Sequence, residues 1–177
     1  MQTRKEYVIQ FVGLSIGTHL FDYTITDKFF ENLDYSEIKQ GNLQIKLALL
    51  KQSNMMVLQF EIKGKVKAIC DRCTEQFDLP IEGSYKLIVK VGGNDTGNEN
   101  DDIITIAANE HELDLSQCLY EYITLSVPIK RIHPDNSKGQ TTCNKKILKE
   151  LNDYLIENEE KHPSDPRWDE LRKIKLN

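Results

Sequence analysis

Apolar side chains occupy every second position in two consecutive stretches of the chain, and this alternation restricts the fold more than any other feature. Polar residues fill the positions between them, and the run Gln52-Ser53-Asn54 separates the two stretches. A period of two is typical of strands with one buried face, and turn-forming residues between such strands favour antiparallel pairing. The sequence therefore predicts an antiparallel meander whose buried face carries Leu43, Ile45, Leu47 and Leu49, then Met56, Leu58, Phe60 and Ile62.

The same alternation predicts further strands on both sides of this meander. We expect Gly64 to end one strand before the next begins, because glycine weakens a strand interior. The first two-thirds of the chain are therefore β-rich. The additional predicted strands cover residues 7–12, 19–25 and 66–70, a segment with Tyr85, Leu87 and Val89 in phase, and residues 102–107.

After residue 113 the apolar period lengthens to that of a helix. Asp114 and Gln117 resemble a capping box at the start of the first helix, and Pro128 ends it. Asp27 is a candidate N-cap for a short helical turn earlier in the chain. The first helix is predicted to bury Leu115, Cys118, Leu119, Tyr122 and Ile123, and a second, over residues 144–157, to bury Ile147, Leu148, Leu151, Tyr154 and Leu155.

These elements predict an α+β fold with an antiparallel β-rich body, either a meander or a partly closed barrel. Two main helices and a short C-terminal helix, started by Asp165 and Pro166, complete it. We expect one domain over residues 1–157 and a tail over residues 158–177. Residues 92–102 carry no apolar side chain and predict a mobile acidic loop, which lacks the glycine and terminal glutamate of a calcium-binding EF-hand loop.

The motif Cys70-Asp71-Arg72-Cys73 is the main candidate for a chemical site. Two thiolates at this spacing supply half of a zinc site, and His133 and Cys143 are candidates for the other two ligands. Tying together points about 60 residues apart would remove on the order of 4 kcal/mol of unfolded-chain entropy. One structural zinc is therefore a candidate cofactor.

Two other interpretations of this motif remain open. In the first, Cys70 and Cys73 are small apolar side chains that pack at a strand end and in a turn, with no cofactor. A thiol oxidoreductase would place the motif at the N-terminus of a helix, whereas the following Phe77, Leu79 and Ile81 alternate as in a strand. Phosphate-binding loops and hydrolase motifs are absent from the sequence, so neither an enzyme nor a small-molecule substrate is expected.

Charge and hydropathy restrict the location and the partners. The longest apolar runs are far shorter than the ~20 residues of a membrane-spanning helix, and the first residues lack the apolar core of a secretory signal. We therefore predict a cytoplasmic protein with no membrane contact. A net charge of −5 argues against a wholly basic nucleic-acid surface and leaves local patches, for which an ordinary solvated face is the alternative. The candidate patches contain Arg72, then Lys130 and Arg131, then Arg167, Arg172, Lys173 and Lys175 around Trp168.

Three segments in order resemble the YceD family, the bacterial and plastid group named for large ribosomal RNA subunit accumulation. They are Cys70-Asp71-Arg72-Cys73-Thr74, the stretch Leu125-Ser126-Val127-Pro128-Ile129-Lys130-Arg131-Ile132-His133-Pro134 followed by Cys143, and Asp165-Pro166-Arg167-Trp168-Asp169-Glu170-Leu171. The resemblance covers most of the chain. It implies a role in ribosome assembly or in maturation and stability of large-subunit ribosomal RNA, without a known catalytic mechanism. Cys70, Cys73 and Cys143 correspond to the family's cysteines, and His133 to the histidine near the end of its proline-containing stretch.

The leading hypothesis is therefore a non-enzymatic factor in ribosome biogenesis. It would contact precursor ribosomal RNA, a large-subunit ribosomal protein, or both. The alternatives are a protein-binding adaptor without RNA contact, with or without zinc, and an enzyme acting through Cys70 and Cys73. The predicted contact residues are Arg72, Lys130, Arg131, Arg167, Trp168 and Leu171.

Overall fold

The computed structural model describes residues 6–31, 33, 35–92 and 102–154. Within them most of the regular secondary structure is strand, with three helices and a 3₁₀ turn over Phe11–Gly13. The elements in order are β1 (Val8–Ile9), β2 (Gly17–Ile25), α1 (Asp27–Glu31), β3 (Gly41–Lys51), β4 (Met55–Ile69), β5 (Gln76–Val91), β6 (Ile103–Ile106), β7 (Leu113–Asp114), α2 (Ser116–Leu125) and α3 (Lys145–Tyr154).

Five of these strands form one sheet in the order β2-β3-β4-β5-β6. The first four follow one another as an antiparallel meander, and β6 pairs in parallel with the end of β5. The α+β prediction is confirmed, and over the described residues the sheet stays open instead of closing into a barrel. Alternation did not foresee the parallel pair, because a period of two fixes the buried face of a strand but not its direction.

One face of the sheet forms the core, as the alternation predicts. Leu43, Leu49, Leu58 and Ile62 are completely buried there. Helix α2 packs on this face, and its Tyr122 ring lies 5.2 Å from that of Phe60 and 4.5 Å from that of Tyr85. Leu119 and Ile123 of α2 and Leu115 just before it are completely buried, at the spacing of one helical face.

The predicted strand break at Gly64 is wrong, because β4 runs through it for 15 residues. Gly64 pairs with Leu43 at a backbone φ of +155°. A side chain there would place its Cβ 2.7 Å from the Leu43 Cα, so glycine is required where the two strands approach closely. Pro80 likewise lies within the 16-residue β5, at a place that β6 does not reach; proline is tolerated on such an unpaired edge.

Several local predictions also differ from the structure. The strand expected over residues 7–12 is limited to Val8–Ile9, and the 3₁₀ turn follows it. The capping box does not form: Asp114 accepts the N–H of Ser116, whereas the amide of Gln117 donates to Glu121 on the next turn. The side chains of Asp and Gln can hydrogen-bond to several nearby groups, and tertiary contacts determine which of these hydrogen bonds forms.

The described part of the second main helix is more exposed than predicted. Ile147 and Leu148 of α3 are half-buried against the core, but Leu151 and Tyr154 are 44% and 83% exposed. No described element covers the far end of this amphipathic face. Leu155, most of the acidic loop and the predicted C-terminal helix lie outside the described residues. No helix in the described part of the chain is both long and apolar enough to cross a membrane.

Candidate metal centre

Cys70 and Cys73 lie at the tip of the β4–β5 hairpin, and both are buried. The last pair of the hairpin ladder is Ile69 with Gln76, so the motif forms the connection. The Cys70 N–H donates to the Glu75 carbonyl, and the Thr74 N–H donates to the Cys70 carbonyl, each at 2.9 Å. Thr74 adopts a φ of +58°, which turns the chain sharply. The long paired strands thus place both thiols in a compact, hydrogen-bonded turn.

A second segment, residues 131–143, runs back against this turn and brings the other two predicted ligands to it. Asp71 and Arg131 tie the segments together through two hydrogen bonds. The Asp71 N–H donates to the Arg131 carbonyl at 2.7 Å, and the Arg131 N–H donates to the Asp71 carboxylate at 2.6 Å. Further along, the Asn136 side chain accepts the N–H groups of Lys138 and Gln140, which closes the loop between His133 and Cys143.

The ligand atoms of Cys70, Cys73, His133 and Cys143 all lie within 4.8 Å of one another. The Cys70 and Cys143 sulfurs are 3.7 Å apart, and His133 Nδ1 lies 3.4 Å from the Cys73 sulfur and 3.7 Å from that of Cys143. A tetrahedral zinc with ordinary bond lengths requires about 3.8 Å between two sulfurs and about 3.6 Å between sulfur and nitrogen. These three edges therefore fit a zinc tetrahedron closely.

Groups around Cys70 favour the thiolate form that a metal requires. Burial raises the pKa of the Cys70 thiol, but hydrogen bonds from the backbone of Cys73, Arg72 and His133 and from the His133 ring outweigh it and lower that pKa to about 6. The Arg72 N–H lies 3.4 Å from the Cys70 sulfur and points to it. Burial raises the pKa of the Cys143 thiol.

His133 is held by stacking and by the position of its segment. Its ring packs on Phe77 of β5, with centroids 4.5 Å apart and planes 29° from parallel. This contact turns Nδ1 toward the sulfurs. Arg72 donates to the hydroxyl of Thr141, which in turn accepts the N–H of Cys143, so the residue between the two hairpin cysteines also positions the fourth ligand.

The arrangement has the chemistry of a structural centre. Four protein ligands would close a tetrahedron around a metal here, as in structural zinc sites, whereas catalytic zinc sites keep one position open. The sulfur separation of 3.7 Å is far from the ~2.05 Å of a disulfide, and all four cysteines are free thiols. The hairpin strands on both sides of Cys70 and Cys73 also differ from the helix N-terminus that activates redox thiols. Cys118, on α2, is half-buried and outside the cluster.

The predicted contact residues are only partly together. Arg72 and Arg131 are half-buried beside the cluster, and Arg131 also makes an ion pair of 3.7 Å with Asp71; Lys130 is exposed. Arg167, Trp168 and Leu171 lie outside the described residues.

Sequence reasoning treated Lys130 and Arg131 as an isolated fragment and missed a longer charge run. Residues 130–149 contain six lysines or arginines and one aspartate, in a chain of net charge −5. This basic segment holds both downstream ligands. Counting charge over a 20-residue window would have found it. Its cations are Lys130, Arg131, Lys138, Lys145, Lys146 and Lys149.

Comparison with known proteins gives one match. The family model described as "Large ribosomal RNA subunit accumulation protein YceD" matches residues 58–175, which include the whole cluster and the basic segment. No curated protein and no solved structure matches the chain. Because the family model covers about two-thirds of the sequence, the chain belongs to the YceD family, whose description is that of a large ribosomal RNA accumulation factor and not of a known enzyme.

Proposed function

We propose that the protein is a non-enzymatic factor in ribosome biogenesis that contacts precursor ribosomal RNA through the basic segment, and that one structural zinc holds this segment in place. The observation that carries the proposal is the convergence of Cys70, Cys73, His133 and Cys143 within 4.8 Å, from two parts of the chain about 60 to 70 residues apart. The family description supports the role in large-subunit ribosomal RNA accumulation.

Zinc fits the donor set better than other common metals. Three thiolates and one imidazole are soft or borderline ligands, which select zinc over calcium or magnesium. The cluster offers no carboxylate. When bound, zinc would join the β4–β5 hairpin to the segment that follows α2.

Charge supports RNA over a purely protein partner. An excess of five positive charges within 20 residues is a local electrostatic footprint in an otherwise acidic chain. Lys130, Lys138, Lys145 and Lys146 are exposed and flank the cluster. Phosphate groups are the natural partners of such cations, and Arg72 beside them adds a planar donor. Arg167, Trp168 and Leu171 remain predicted partner contacts, and a cytoplasmic location remains a prediction.

Metal analysis tests the zinc. Protein purified without chelator should carry one zinc per chain, and a variant with both Cys70→Ser and Cys73→Ser should carry none. Cys118→Ser is the matched control, because it removes a thiol outside the cluster and should leave the zinc in place. Wild-type protein without stoichiometric zinc would refute this part of the proposal.

RNA binding is tested by charge reversal. Lys145→Glu with Lys146→Glu should weaken binding to a precursor ribosomal RNA fragment and lower the slope of log K against log salt by about 1 to 2, as two phosphate contacts are lost. Lys63→Glu with Lys86→Glu, on the exposed face of the sheet, is the control with the same charge change. An equal loss of RNA affinity in the two variants would show that the basic segment has no specific role in RNA binding.

A protein-binding adaptor is the second candidate. The exposed Leu151 and Tyr154 on α3 favour it, because an exposed apolar helix face is typical of a protein contact. In this case association with pre-ribosomal particles would persist at high salt and would respond to Leu151→Ala more than to lysine reversal. Trp168→Ala tests the predicted tail contact in the same assay.

A further inference from the structure

Strand β2 ends the sheet on one side and has an open edge. It pairs with β3 through all nine residues, and no other described strand lies next to it. Among the described residues, the backbone of Thr18–Ile25 makes no hydrogen bond beyond the β3 ladder. Alternate N–H and C=O groups of β2 therefore point away from the sheet and are available to another strand.

The two edges of the sheet differ in how they are protected. The opposite edge has Pro80 and Glu82 in the part of β5 that β6 leaves unpaired, and β6 itself has four residues. Prolines, charges and short strands are the usual protection against edge-to-edge pairing. By contrast β2 contains no proline, lysine or arginine, and its unbroken one-to-one register with β3 leaves no bulge.

Apolar side chains accompany this open edge. Leu20 on β2 is 78% exposed, and Ile16 just before the strand is 73% exposed. On the other face, Phe21 and Tyr23 are half-buried at the edge of the hydrophobic core. An added strand would cover apolar surface on both faces of the sheet, so the edge offers both hydrogen bonds and apolar contacts to a partner.

We propose that β2 pairs with β2 of a second copy of this chain, antiparallel and with Leu20 opposite Leu20, to form one continuous ten-stranded sheet. A two-fold axis perpendicular to the sheet produces this arrangement. In this register Gly17 lies opposite Tyr23, an aromatic ring over a glycine, and His19 lies opposite Phe21.

Charge and polarity within the strand favour this register over those centred on Phe21 and Asp22. Asp22 is the one carboxylate in β2, and the proposed register places it opposite Thr18, which can donate a hydrogen bond to it. Shifting the axis to Asp22 would set two carboxylates opposite each other, and shifting it to Phe21 would set the exposed Leu20 against Asp22. The strand thus complements a copy of itself in the proposed register, which favours a second copy over an unrelated peptide.

Cysteine cross-linking tests the register. Opposed residues in an antiparallel pair have Cα atoms about 4.5 to 5.5 Å apart, within the range that a disulfide spans. Leu20→Cys should therefore give a covalent dimer under mild oxidation. Asp22→Cys is the matched control on the same face and should link far less, because its copies would lie four positions out of register. Equal linking of the two variants would overturn the proposal.

Molar mass in solution tests the dimer itself. Wild-type protein should have the mass of a dimer by light scattering, and Leu20→Lys, which adds a charge to the open edge, should have that of a monomer. Ile129→Lys is the control at a fully exposed residue outside the sheet and should remain a dimer. Circular dichroism should show equal folding of both variants. A monomeric wild type would overturn the proposal, and a strand from another protein would then be the candidate partner for this edge. A Leu20→Lys variant that remains a dimer would also overturn it.

Discussion

Zinc removal should lower the free energy of unfolding by at least about 4 kcal/mol, and the structure sets this magnitude. The cluster joins Cys70 to Cys143, 73 positions along the chain. Cross-linking two points so far apart removes about 4 kcal/mol of unfolded-chain entropy at 25 °C, if the unfolded chain keeps the metal. If it releases the metal, the binding free energy of zinc is added to folded-state stability instead, and the loss on removal is larger.

Urea denaturation followed by far-UV circular dichroism measures this loss. Thiols are kept reduced, and wild-type protein is compared with and without a strong zinc chelator. With a slope of about 2 kcal/mol per molar urea, the midpoint should fall by about 2 M. The variant with Cys70→Ser and Cys73→Ser provides the internal control, because chelator has no bound metal to remove from it.

Two results would refute the reasoning. A chelator effect below about 1 kcal/mol on the wild type would mean that no metal links the hairpin to the later segment. An equal chelator effect on the double serine variant would mean that the chelator acts elsewhere. Cys118→Ser should respond to chelator as the wild type does, since its thiol lies outside the cluster.

Three further substitutions test the backbone and the core. Gly64→Ala should destabilise the protein by more than about 3 kcal/mol, because Gly64 has a positive φ and an added Cβ would lie 2.7 Å from the Leu43 Cα. Gly13→Ala is the control: its Cβ would meet open space, so it should change stability by less than about 1 kcal/mol. Thermal melting compares the two variants. Thr74→Gly should raise the free energy of unfolding in urea by about 1 kcal/mol, because it relieves a β-branched residue at φ +58°, and an unchanged value would contradict this. Phe60→Ala should cost about 3 to 5 kcal/mol in the same assay, as for a large cavity, and a cost below about 1 kcal/mol would show that the core is loosely packed.

Strand periodicity predicted the buried face of the sheet well. Leu43, Ile45, Leu58 and Phe60 are all buried, because a half-buried strand leaves a period of two in any context. The same reasoning failed at Gly64, where conformational freedom was interpreted as a break. Whether glycine ends a strand or admits a neighbouring backbone depends on the residue opposite, and the sequence does not name that residue.

The candidate ligands were predictable, but their support was not. Cysteine spacing singled out Cys70 and Cys73, and His133 and Cys143 followed as the remaining soft ligands in a suitable position. The hydrogen bonds between Asp71 and Arg131 that align the two segments depend on backbone positions 60 residues apart. The prediction for helix α3 failed for a different reason: its apolar period was correct, but Leu151 and Tyr154 have no described neighbour to bury them.

The cluster and the basic segment depend on each other physically. Between Arg131 and Asn144 the chain has one isolated bridge, Asp135 with Thr141, and no regular strand or helix. Such a stretch has few regular backbone contacts, so its own contacts hold it weakly. A zinc bound by His133 and Cys143 would fix this stretch to the hairpin tip near both of its ends, next to the cations on either side of it. A metal centre here would therefore position positive charge without taking part in any reaction.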